Sequence, residues 1–153
     1  MNLSSRPYRK PFSQDLYKKY DNPAKNALIN LLLSEGHEIL DLNESFYADI
    51  ISEKDGIQYY SEAEIKTAWR GIWPSSWKEI RIPARKKKLL KKHGHLKFYI
   101  FSKTLEECWC IDSSLLTDSI LREAFGRNIY KGELFYHVPY QDAELIDLKS
   151  LAA

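Results

Sequence analysis

The chain reads as α/β (α+β mixed), with a central mixed sheet flanked by helices, and three observations carry that reading. "DNPAKNALINLLLSEG" places apolar residues at helical spacing between a capping Asp/Asn and a terminating glycine. Three short extended runs follow, the last two joined by Asp55-Gly56, a strong hairpin signal. Two more extended runs, "HLKFYIFS" and "ECWCID", come after a basic segment with helical character. Helix, meander, helix and strands bury their apolar faces most simply as helices laid on one sheet.

Taken in order, residues 1–21 are polar, basic and aromatic, with Pro7 and Pro11, and read as an arm. The helix that follows is capped by Asp21 or Asn22, accepts Pro23 in its first turn, and ends at Gly36. Ala24, Ala27, Leu28, Leu31 and Leu32 form its buried stripe. "HEILDL", "FYADIIS" and "IQYYSEAEIKTAW" are the three strands of the meander, and "WRGIWPSSWKEI" is a tryptophan-rich loop. "IPARKKKLLKKHG" reads as a helix from Pro83 to Gly94, "SSLLTDSILREAFGRN" as another helix, and "GELFYHVPY" as a late strand.

A chain of 153 residues fits one domain with a substantial core. Hydrophobic residues at 44% and charged residues at 29% are ordinary for a globular chain, and a net charge of +2 says nothing about partners. No apolar run reaches the roughly 20 residues that span a bilayer, and "MNLSSRPYRKPFSQ" has no apolar signal region. The expectation is a cytoplasmic protein with no membrane partner. Cys108 and Cys110 share one strand face, too close along the chain for an easy bridge, and read as buried packing. His93 and His95 lack a third ligand nearby, which argues against zinc. Glycine-rich phosphate loops, dinucleotide fingerprints and serine-hydrolase elbows are all missing from the sequence.

The informative stretch is "FYADIISEKDGIQYYSEAEIKTAW". Strand side chains alternate, so Tyr60, Glu62, Glu64 and Lys66 share one face. Pairing through Asp55-Gly56 brings Asp49 to that side. Clustered carboxylates repel by roughly 4 kcal/mol per pair at 4 Å near a surface. Protonation, a neighbouring lysine or a hard divalent cation relieves that repulsion. The plain structural alternative is a solvent-facing strand whose charges pair with their neighbours, each pair worth about 0.2–1 kcal/mol.

An Asp at the start of one strand, a tight turn, then Glu-x-Lys on the next strand resembles the signature of the PD-(D/E)XK nuclease superfamily. The matching residues are Asp49, Glu64 and Lys66, and the layout resembles the family's from Asn22 to Asp112. The resemblance implies a restriction-endonuclease-like core and a Mg²⁺-dependent endodeoxyribonuclease in which Mn²⁺ substitutes. It makes Asp49, Glu64 and the backbone carbonyl of Ile65 metal ligands, and Lys66 the group that positions water or steadies the transition state. Many members carry another acid on the preceding helix, where this chain has Lys25 and Asn26. Asp21 or Glu62 fills that role, with Glu62 favoured as an accessory catalytic acid. The single domain, 1–153, then divides into an arm (1–21), a catalytic core (22–112) and an extension for DNA contact or oligomerisation (113–153).

Double-stranded DNA is the implied partner. Arg81, Arg85, Lys88 and Lys92 in the basic segment, Arg70 behind the third strand and Arg9 in the arm are the expected phosphate contacts. Trp69, Trp73 and Trp77, four apart, signal core packing more than base stacking. By size the chain is similar to small intron-encoded homing endonucleases and Holliday-junction resolvases, and a homodimer or homotetramer is expected because two strands need two sites. Site-specific cleavage is the leading expectation. Junction resolution and a non-catalytic DNA-binding role on a nuclease fold are the alternatives.

Overall fold

A computed structural model gives the fold, described over residues 23–41, 49–92, 94–126 and 129–152. Helix α1 (Pro23–Ser34) buries Ala24, Leu28, Leu31 and Leu32, as its spacing predicts, together with Ile29 and Lys25. It stops where expected. Gly36 takes a φ of +91°, and the His37 amide turns back to donate to the Leu32 carbonyl at 2.9 Å.

β1 (Glu38–Asp41), β2 (Ile50–Lys54) and β3 (Ile57–Lys66) form the antiparallel meander. Asp55 and Gly56 both have positive φ, 53° and 79°, which lets a two-residue turn follow the twist of the strands. β4 (Glu79–Pro83), a 3₁₀ turn at Ala84–Lys86 and α2 (Lys87–Lys92) then cross over to β5 (Leu96–Ser102), which pairs parallel with β3. β6 (Glu107–Asp112) and β9 (Glu144–Asp147) extend the sheet antiparallel, giving the order β1-β2-β3-β5-β6-β9. β7 (Leu121–Glu123) and β8 (Leu134–Pro139) join β4 in a second, three-stranded sheet ordered β4-β8-β7.

Each face of the large sheet therefore has a different cover. Alternation along β5 and β6 sends Tyr99, Phe101, Cys108 and Cys110 toward α1, where they pack with Leu28, Ile29 and Leu32. Leu96, Phe98, Ile100, Trp109 and Ile111 face the other way, onto Ile80, Ile82, Tyr136 and Val138 of the small sheet. A mixed sheet in a mixed α/β fold is present as expected. Among the described residues the flanking is different: helix α1 covers one face, and a sheet covers the other.

Two local expectations are corrected. Pro83 ends a strand and does not open a helix. "EIRIP" alternates, burying Ile80 and Ile82 while Arg81 stays exposed, and pairs throughout with β8. Residues 113–123 are not a helix either. The Asp112 carboxylate accepts the Ser114 amide at 2.9 Å, 3₁₀ turns follow at Ser113–Leu115 and Asp118–Ile120, and Leu121–Glu123 completes the β8 edge. Short apolar runs fit either period, and here a free strand edge decides. The arm, residues 42–48 of the second expected strand, and residues 127–128 lie outside the described residues. Among the described residues no helix is long and apolar enough to cross a membrane.

Candidate active site

β3 outruns β2. The last paired residues are Ile50 and Ser61, so among the described residues the only strand that residues 62–66 pair with is β5. Asp49 directly precedes Ile50. Its Oδ2 accepts the Ala63 amide at 2.9 Å, replacing a backbone acceptor that a longer β2 would have supplied. In return the Asp49 amide donates to Glu62 Oε2 at 2.9 Å. Extrapolating the ladder puts Asp49 opposite Glu62, so the acid that meets Asp49 is Glu62, not Glu64.

The second oxygen of Glu62 is also engaged. Lys86 Nζ lies 2.8 Å from Oε1, delivered by the 3₁₀ turn that follows β4. Glu62 is only 9% exposed, so this contact is shielded far more than a surface ion pair. Burial above all, and then the Glu62 charge, push the Asp49 carboxyl above the usual carboxylate range. The Ala63 amide and the ammonium groups of Lys25 and Lys86 oppose that rise. Lys25 comes from the first turn of α1 and is 1% exposed. The helix thus brings a cation near Asp49, where the resemblance implies a further acid.

Glu64 is exposed on the same face of β3, two residues further out. With Glu62, Lys86, Ile82 and Pro83 it lines a cleft of about 80 Å³, room for a few waters or one cation. Odd residues of β3 aim their backbone groups toward the β2 side, since the Ala63 amide reaches Asp49 while the Tyr60 amide reaches the His95 carbonyl. The Ile65 carbonyl therefore faces that side. Among the described residues no three carboxylate, histidine or cysteine side chains already converge as a preformed metal cage. The donor set beside Asp49, oxygen atoms only, suits a hard cation such as Mg²⁺ more than zinc.

Lys66 lies apart from this pair. Two residues past Glu64, roughly 7 Å along the strand, it lines a second cleft with Ser76, Trp77, Lys78, Glu79 and Arg81. Its ammonium stands 5.3 Å from the centre of the Trp77 ring. Burial, then the Arg81 charge, depress its pKa, against a smaller opposing pull from Glu64.

Of the expected phosphate contacts, Arg70 and Arg81 are exposed. Arg85 is exposed and lies 3.6 Å from Glu133. The side chains of Lys88 and Lys92, and all of Arg9, lie outside the described residues. Trp69 and Trp73 are buried and meet edge to face at 5.1 Å, with Trp77 5.0 Å beyond. That is core packing, as the spacing predicted.

Sequence reasoning missed two residues at the acid pair, Lys86 and Lys25. Lys86 falls within the basic stretch that reads as a continuous helix, and a 3₁₀ turn that the sequence does not announce turns it inward. Lys25 did leave a signal: it precedes Ile29 by four, a basic residue inside an apolar stripe. Searches of protein-family models, curated proteins and solved structures return no match to this chain.

Proposed function

We propose that the protein is a metal-dependent DNA endonuclease that hydrolyses phosphodiester bonds at the acid pair beside β3. The carrying observation is the part-buried Asp49–Glu62 pair beside β3, with a lysine amine 2.8 Å from Glu62 and a third carboxylate, Glu64, lining the same cleft as Glu62. A helix, an antiparallel meander and a crossover to a strand parallel to β3 agree with the resemblance to the PD-(D/E)XK superfamily.

Asp49 and Glu62 would hold a Mg²⁺ ion, with Glu64 and the Ile65 carbonyl completing the protein ligands. Such an ion polarises a phosphoryl oxygen and lowers the pKa of a bound water. Glu62 can turn toward an ion only if Lys86 releases Oε1. The freed ammonium would then be available to steady the charge that builds on the non-bridging oxygens of a phosphate. Lys86 in this way takes the role expected of Lys66, whose amine lies in the neighbouring cleft. The exposed Arg70 and Arg81 would contact flanking phosphates.

The test is cleavage of supercoiled plasmid, linear duplex and a four-way junction with Mg²⁺, Mn²⁺ or Ca²⁺. Nicking with Mg²⁺ or Mn²⁺ that falls at least about 100-fold in Glu62→Gln and Asp49→Asn supports the enzyme, since one electrostatic group at a reacting phosphate is commonly worth that much. A site-specific enzyme cuts few positions in a random library, whereas a resolvase prefers the junction. The Lys86–Glu62 contact favours one other reading, a DNA-binding protein whose acid pair is closed by its own lysine. Silence of wild type in every metal, with binding intact, would select it.

A further inference from the structure

The second cleft gathers three cations that have no carboxylate partner among the described residues. Lys66, Lys78 and Arg81 converge on about 440 Å³, a volume in the range of small-molecule sites. Among the described residues no carboxylate lies within ion-pair distance of any of the three. The one carboxylate lining the cleft, Glu79, is taken by Arg122 at 2.5 Å and by His137 at 3.3 Å, and those partners hold its carboxyl below the usual range. Ser76 adds a hydroxyl, and the Trp77 indole forms an aromatic wall.

We propose that this cleft binds a phosphate group of a nucleic-acid strand. Three cations around one concave site, with the local acid neutralised elsewhere, are matched by a compact multivalent oxyanion and not by an apolar ligand. The half-buried Lys66 ammonium, crowded by Arg81, gains most from such a counter-charge. That the phosphate belongs to the strand being cut rests on the nuclease reading. Lys66 lies four residues beyond Glu62 on one strand face, roughly 13 Å away. A duplex rises 3.4 Å per nucleotide, so the anchored phosphate lies about four nucleotides along the axis from the bond at the acid pair. The cleft then fixes where along the backbone the acid pair comes to rest.

The experiment measures binding of a short fluorescein-labelled duplex by anisotropy across a salt series with Ca²⁺ present. The variants are Lys78→Gln with Arg81→Gln, and Lys54→Gln, at the far end of the β2–β3 hairpin, as control. Both sites are partly or fully exposed, so the variants fold, which circular dichroism verifies. The expected result is about a tenfold loss of affinity in the double variant, independent of sequence, with a salt slope lower by about 1. A second arm replaces single phosphates with neutral methylphosphonates. The loss in wild type should centre on one position, and the double variant should no longer feel it. Quenching of tryptophan emission by inorganic tripolyphosphate, lost in the double variant, reads the cleft without any nucleic acid. An unchanged salt slope together with unchanged quenching overturns the proposal even if plasmid is cut. Intact quenching and salt effects without cleavage leave the cleft standing and remove the nuclease.

Discussion

Asp49 is held in a position that costs stability. Its carboxylate is part-buried beside a second acid, and the Ala63 amide donates to Oδ2. A carboxyl whose folded pKa lies above its unfolded value binds its proton more tightly in the folded state. That contribution is present below the unfolded pKa and is lost as pH rises through the folded one. Asp49→Asn keeps an oxygen for the Ala63 amide and removes the part-buried charge. Thermal melts at neutral pH should therefore show the Asp49→Asn variant above wild type by about 2–4 °C, on the order of 1 kcal/mol for a chain this size. The gap should close toward pH 3, where the wild-type carboxyl is protonated. A variant less stable than wild type at neutral pH would mean that the ammonium groups of Lys25 and Lys86 outweigh burial. Cleavage should show the converse, rising with pH as Asp49 ionises.

Among the elements, the tryptophan loop walls the second cleft through Ser76, Trp77 and Lys78 and packs against the end of β3. Trp69 follows β3 directly, is fully buried, and touches both Trp73 and Trp109, with ring centres 5.1 and 6.3 Å away. It anchors the end of β3 to β6 across the sheet, and its carbonyl accepts the Lys103 amide at 2.7 Å. Trp69→Ala should cost about 3–5 kcal/mol, a large share of a typical domain's 5–15, as read by urea unfolding. Loss below about 1 kcal/mol would show that the cluster collapses around the gap. The sequence made this element readable, because aromatic residues at a spacing of four in a run with Pro and Gly have few uses other than packing. β4 and β7 were harder. Ile80 and Ile82 alternate over only five residues, and Pro83 is as much at home at a strand end as in a first helical turn.

At the scale of the whole molecule, the sheet has two covers, and that explains which part of the site was legible. Asp49, Glu62 and Glu64 could be read because hairpin register and strand alternation are local rules. The register set by the Asp55-Gly56 turn, Lys54 opposite Ile57, carries through without a shift and puts Asp49 across from Glu62, with Glu64 two residues further out. Lys86 could not be read, because its approach to Glu62 requires the small sheet to fold back over the large one, 24 residues later in the chain. The helix-covered face is apolar enough to silence its thiols. Burial raises both Cys108 and Cys110, the latter to about 11. Native protein should thus leave Ellman's reagent unreacted at pH 8 for many minutes and release two equivalents only on unfolding. Fast reaction in the native state would place these strands differently.

On the proposed reading, Asp49 and Glu62 together bind a divalent cation in competition with Lys86. Calorimetric titration with Mn²⁺ tests it without relying on activity. Wild type should bind Mn²⁺, Asp49→Asn and Glu62→Gln should each lose that binding, and Lys86→Met should bind it several-fold more tightly because Oε1 is free. Equal heats in all four proteins, or Mn²⁺ binding that survives the loss of both acids, would contradict the account.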